Sequence, residues 1–153
     1  NLIMSVKENI TLSDISGLIR KKKIDLRYEK EIASRWKEKL SIKSPSIETT
    51  SASLSGGNQQ KIVIAKALNT SPEFMLLNEP TRGIDVGAKV EIYDLINGLC
   101  KDGKAVLMIS SELPEIMAMS DRIYVMCEGR ITGEVHKQEF SQEHLLKLAI
   151  GEC

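Results

Sequence analysis

The first stretch whose residue types could do chemistry is Leu54-Ser55-Gly56-Gly57-Asn58-Gln59-Gln60-Lys61, at the junction of a loop and a helix. Ser55 can cap that helix. Gly56 and Gly57 let the backbone come close to a ligand, so that free N–H groups and the positive end of the helix dipole converge on one point. Such a point suits an anion, a terminal phosphate for example. An ordinary N-cap followed by a glycine turn would use the same residues, and the stretch alone does not decide between the two.

A second stretch, Phe74-Met75-Leu76-Leu77-Asn78-Glu79-Pro80, is an apolar strand that delivers two polar side chains at its C-terminal end, where α/β sheets bind ligands. Successive strand residues point to opposite sides, so Asn78 and Glu79 can take different tasks, one near a metal and one near an attacking water. A strand running into a turn before Pro80 would read the same way. A third stretch, Gly98-Leu99-Cys100-Lys101-Asp102-Gly103-Lys104-Ala105, has the glycine and lysine spacing of a phosphate-binding loop but ends in Ala, which has no hydroxyl for Mg²⁺. It also closes a helix and enters a strand, the reverse of what such a loop needs, and reads as a helix C-terminal turn.

The elements that must position these residues follow from periodicity. Tyr28, Ile32, Trp36 and Leu40 recur every four residues and predict an apolar stripe on a charged helix within a polar, helical first third. The basic run 20–23 reads as a solvated surface, and 44–55, rich in Ser and Thr around Pro45, as a loop. Beyond it, 62–68 continues the helix that follows Ser55, and further helices are expected at 87–100, 113–119 and 142–150, with Pro114 tolerated in a first turn. Short buried strands are expected at 74–77 and 105–109, and a hairpin at 122–126 and 130–135 about the turn Cys127-Glu128-Gly129. Strands alternating with helices imply an α/β sheet with helices packed on it.

Composition limits the partners. The chain has 153 residues with 21 basic and 21 acidic side chains. No overall field therefore draws it to nucleic acid or to an anionic membrane. Its apolar runs are too short to cross a bilayer. Cys100, Cys127 and Cys153 lack metal-ligand spacing and read as buried or incidental thiols of a reducing compartment. His136 and His144 lie outside the chemical stretches and are assigned no role. The start at Asn1, with neither Met nor a signal-like segment, reads as the interior of a longer sequence.

Taken together, the Ser-Gly-Gly turn, the strand ending in Glu-Pro and the following Thr81-Arg82-Gly83-Ile84-Asp85-Val86-Gly87 closely resemble the signature motif, Walker B strand and D-loop of ATP-binding-cassette (ABC) ATPases. With Ser110-Ser111-Glu112-Leu113-Pro114-Glu115 added, the sequence is most similar to the second cassette of tandem ATPases of bacterial simple-sugar importers. The resemblance implies an α/β fold, the C-terminal part of a P-loop ATPase domain. Residues 1–70 would be a helical subdomain ending in the signature helix, and 71–153 the C-terminal part of a mostly parallel core sheet.

It also implies ATP and Mg²⁺ as cofactors. Ser55, Gly56, Gly57 and Gln59 would face the γ-phosphate of ATP held by an opposite cassette, and Asp85 would lie in the D-loop between cassettes. Glu79 would polarise the attacking water. Asn78 stands where the family has an Asp linked to Mg²⁺, and Ser111 where most members have a switch His. An amide brings no charge to the metal, so Asn78 weakens that position.

The implied partners are a second cassette, transmembrane permease subunits and, indirectly, a periplasmic sugar-binding protein, at the cytoplasmic face of a bacterial inner membrane. The rival expectation is a catalytically degenerate cassette that lends its signature to a partner's site. A weaker third is an ABC ATPase of translation or repair. No stretch has a complete phosphate-binding loop, so this chain by itself is expected not to turn over ATP.

Overall fold

A computed structural model describes residues 1–151. It divides into two compact units, Asn1–Leu107 and a second beginning at Met108.

The first unit opens on α1 (Val6–Thr11), where Ser5 and Glu8 form a reciprocal capping box. A short α2 (Ile15–Leu18) leads to the two-residue strands β1 (Ile19–Arg20) and β2 (Lys23–Ile24), which pair antiparallel. No residue pattern marks this hairpin, because both strands are exposed and carry no buried alternation. Its tip, Lys21-Lys22, takes left-handed backbone angles, and the whole basic run is exposed as expected.

Helix α3 (Leu26–Lys39) follows its N-cap Asp25, whose carboxylate accepts from the N–H groups of Arg27 and Tyr28. Of the stripe anticipated on it, Ile32 and the C-capping Leu40 are buried. Trp36 is half-buried, with its indole N–H donated to Asn69 Oδ1 at 3.0 Å, and Tyr28 lies at the exposed margin under Arg20.

The Ser- and Thr-rich loop docks on α1: the N–H groups of Val6 and Lys7 donate to the carbonyls of Thr49 and Ile47. It ends in a 3₁₀ turn at Ser51–Ser53 and enters α4 (Gly56–Leu68), the helix that starts after Ser55 and continues through 62–68 as expected. Strand β3 (Phe74–Asn78), helix α5 (Val86–Lys101) and strand β4 (Ala105–Ile109) follow. The two strands are neighbours in one sheet. Ala105 N–H donates to Glu73 O at 2.9 Å, joining their N-terminal ends as parallel strands do.

Both were expected to be buried strands, and the structure corrects this. In β3 only Met75 and Leu77 are buried, while Phe74 and Leu76 are about half exposed, and in β4 Leu107 and Ile109 are exposed too. Strand side chains alternate between two faces, and a run apolar throughout shows its second face wherever nothing covers it.

The second unit contains α6 (Leu113–Met119), with Pro114 in its first turn, the antiparallel strands β5 (Arg122–Cys127) and β6 (Arg130–His136), and α7 (Gln142–Ala149). Cys127 pairs with Arg130, which leaves Glu128-Gly129 as a two-residue turn with φ of 47° and 78°, the primed geometry that suits strand twist. A bulge follows Val125, and Thr132 there donates its hydroxyl to Leu148 O at 2.8 Å. Ile123, Val125, Val135, Leu145 and Leu148 form the core of this unit. Cys100 is exposed and Cys127 half-buried; Cys153 lies outside the described residues. Among the described residues no helix is long and apolar enough to cross a membrane.

Candidate functional site

Ser55 stands at the N-cap of α4 with extended backbone (φ −61°, ψ 154°), but its hydroxyl accepts no bond from a backbone N–H of the helix's first turn. This corrects the expected cap. The side chain of Asn58 takes the hydroxyl instead, Nδ2 donating to Ser55 Oγ at 2.9 Å. Ser55 and Gly56 are exposed, so the hydroxyl and the start of the helix face solvent, the condition for meeting an anion there.

The two glycines differ in what surrounds them. A Cβ on Gly56 would meet Ile84 Cγ2 at 3.4 Å and Gly83 O at 3.6 Å, ordinary contact distances. Gly57 is buried, and a Cβ there would lie 2.5 Å from Ala88 Cβ. Gly57 therefore lets α4 approach α5 closely, a packing role that sequence reasoning did not separate from backbone access for a ligand. Gln59 turns back: its amide donates to Leu54 O at 2.9 Å and Ser51 O at 3.2 Å, bracing the loop ahead of the helix.

Asp85 caps α5, its carboxylate accepting from Ala88 N–H at 2.9 Å. The fold thus brings Ser55–Gln59 beside the segment 83–88. Asn78 is the last residue of β3 and is exposed. Glu79 lies beyond the strand with φ 47°, so strand alternation does not set its direction; its own left-handed backbone does. Holding a non-glycine residue there costs about 1–2 kcal/mol. The turn that holds it has Pro80 at its second position and closes with Arg82 N–H donating to Glu79 O at 3.2 Å.

Ser111 belongs to the second unit and is exposed. Beside it the Ser110 hydroxyl donates to the buried Glu115 carboxylate and accepts from Glu112 N–H, which fixes the entry to α6.

Sequence reasoning missed a polar cluster behind the Ser-Gly-Gly turn. Lys61, with a side chain only 4% exposed, forms an ion pair with Glu91 at 2.7 Å and donates to Ser41 O at 3.1 Å. Glu91 also holds Lys43 at 3.2 Å, and Lys43 N–H donates to Asn58 Oδ1 at 2.7 Å. The bonds from Lys61 and then Lys43 hold the Glu91 carboxyl below the usual carboxylate range. A signal was available: Gly57, Lys61, Ile64, Ala65 and Leu68 lie on one helical face, so the period alone puts Lys61 on the buried side.

Residues 2–82, more than half of the chain, match the family model described as ABC transporter. The xylose import ATP-binding protein XylG of Moorella thermoacetica is 53% identical over 152 residues, 98% of this chain and 30% of that protein. The ribose import ATP-binding protein RbsA of Bacillus subtilis is 52% identical over 147 residues, covering 96% of this chain and 30% of its own length. The chain thus spans under a third of the curated relatives it matches.

Among solved structures, a nucleotide-free ATP-binding cassette from an ABC transporter superposes with a TM-score of 0.79 at 28% identity, covering 98% of this chain and 64% of that one. The ADP conformation of MJ1267, an ATP-binding cassette of an ABC transporter, gives 0.75 at 26% over the same shares. The Ser-Gly-Gly turn and Glu79 lie within the matched residues and the fold is that of part of an ATP-binding cassette, so this chain belongs to the ABC transporter family.

Proposed function

We infer that the chain is the C-terminal part of an ATP-binding cassette that drives import of a simple sugar by hydrolysing ATP. The observation that carries this is the solvent-facing start of α4, where the Ser55 hydroxyl and the Gly56 backbone are exposed beside 83–88. Import proteins for xylose and ribose, about half identical over nearly all of the chain, support the sugar class. In this reading residues 1–70 are the helical subdomain and 71–153 belong to the ATPase core. The partners are a second cassette, permease subunits in the membrane and, through them, a sugar-binding protein, with the cassette on the cytoplasmic side.

ATP held by the opposite cassette would present its γ-phosphate to Ser55 and the amides of Gly56 and Gly57, with Gln59 stiffening the loop and Asp85 fixing the adjoining helix start. In this cassette's own site Glu79 would accept a proton from water as the water oxygen bonds to the γ-phosphorus and the bond to the bridging oxygen breaks, leaving ADP and phosphate. The switch position, Ser111, would offer a hydroxyl to the phosphate.

Mg²⁺, when bound, neutralises phosphate charge. The donor set fits it weakly, since Asn78 can accept a hydrogen bond from a metal-bound water but adds no charge. That neutral amide favours a second reading, in which this cassette's own site is degenerate and only its signature serves the partner.

The test is a bulky substitution, Gly56→Leu, in the whole protein with its partners. ATP-driven closure and turnover are expected to fall at least about ten-fold, while ATP affinity at the partner's phosphate loop changes little. Lost ATP binding with closure intact would overturn the assignment.

A further inference from the structure

Asn58 sits between two groups that fix its side chain completely. Lys43 N–H can only donate, so the atom 2.7 Å from it must be the carbonyl oxygen Oδ1. The amide nitrogen is thereby turned toward Ser55, where it donates to Oγ at 2.9 Å. A hydroxyl that accepts a bond at its oxygen keeps its single proton for another partner. The Ser55 oxygen accepts no capping bond from a backbone N–H of α4. It is therefore set as a donor facing solvent, the polarity an anionic oxygen requires.

What holds Asn58 is itself anchored. Lys43 is pinned through its ammonium to Glu91 on α5, and Glu91 is held in place by the buried Lys61, which also bonds the Ser41 carbonyl two residues before Lys43. The segment 41–43 is thus tied at both ends to one carboxylate–ammonium pair between α4 and α5. The series Lys61, Glu91, Lys43, Asn58, Ser55 runs from the helix interface to the hydroxyl at the mouth of the site.

We propose that Asn58 is a positioning residue that orients the Ser55 hydroxyl as a hydrogen-bond donor toward the phosphate, with the Lys61–Glu91–Lys43 cluster holding Asn58 in register. This rests on the reading that Ser55 meets a phosphate. It adds a residue acting through Ser55 rather than on the nucleotide.

The test is a double-mutant cycle in the whole protein with its partner subunits, reading kcat and KM for ATP and the thermal midpoint. Asn58→Ala removes both bonds. Asn58→Asp keeps the shape and the acceptor for Lys43 but turns the donor toward Ser55 into an acceptor, drawing the hydroxyl proton inward.

One hydrogen bond to a charged oxygen predicts that each variant lowers kcat about ten-fold or more, with KM and the thermal midpoint near those of the parent. In a Ser55→Ala background the Asn58→Ala change is expected to cost about two-fold or less, because the group it orients is gone. Full activity of both Asn58 variants, or losses that multiply with that of Ser55→Ala, would overturn the inference. If Ser55→Ala is itself silent, the phosphate reading falls and this one with it, a result distinguishable because it appears before Asn58 is touched.

Discussion

Replacing Gly57 by Ala isolates the packing of the signature helix from its chemistry. The added Cβ would lie 2.5 Å from Ala88 Cβ, against about 3.5–4.0 Å for carbon atoms in contact, so α4 and α5 must separate by about 1 Å. Neither carbon can rotate away, since both are fixed to helix backbone, which puts the cost in the upper part of the usual overpacking range, about 2–3 kcal/mol. Alanine's better helix propensity returns up to about 1 kcal/mol, leaving a net loss of about 1–2 kcal/mol. The same separation would stretch the 2.7 Å pair of Lys61 and Glu91, one turn further along the interface.

Thermal or denaturant unfolding of the whole protein reads the loss, expected as a drop of about 3–8 °C in the midpoint of this domain. The double variant Gly57→Ala with Ala88→Gly removes the opposing methyl and should recover part of the stability, although glycine in α5 costs about 0.5–1 kcal/mol. Gly56→Ala, whose Cβ meets only ordinary contacts, serves as the control and should change the midpoint little. A Gly57→Ala protein as stable as its parent, or no recovery from Ala88→Gly, would refute the close approach of the two helices.

Asn78→Asp adds a charge at the Mg²⁺-linked position and is expected to raise single-site ATP turnover about ten- to a hundred-fold, a gain that Glu79→Gln should abolish; unchanged turnover and Mg²⁺ requirement would favour the degenerate-site reading. The pH dependence follows from Glu91, whose carboxyl is held below its ordinary 4.5 by Lys61 and Lys43. The folded form gives up that proton more readily than the unfolded chain, so the stabilisation is fully present above pH 4.5 and is lost as pH falls through the lowered value. Glu91→Gln should therefore flatten the change in unfolding midpoint between about pH 5 and pH 3, and a slope identical to the parent's would count against the pair.

Much of this protein was determined by local sequence. The Ser-Gly-Gly turn, the strand ending at Asn78-Glu79 and the hairpin about Glu128-Gly129 were legible because each depends on properties of a few neighbouring residues: backbone freedom at glycine, apolar runs, and turn chemistry. Pro114 in a first helical turn and Asp85 ahead of a helix are local in the same sense.

Tertiary structure decided how those residues are used. Ser55 looked like a cap, yet Asn58 holds its hydroxyl, because Asn58 is oriented by Lys43, fifteen residues earlier in the chain. Gly56 and Gly57 are the same residue type in the same motif, but only Gly57 lies against Ala88, a contact thirty-one residues away that no local pattern encodes. Strands read as buried show one face to solvent, since burial depends on what packs against an element and not on its own composition. The buried Lys61 is tolerated only because Glu91 and the Ser41 carbonyl converge on it, and that convergence exists only once α4, α5 and the end of α3 are packed together.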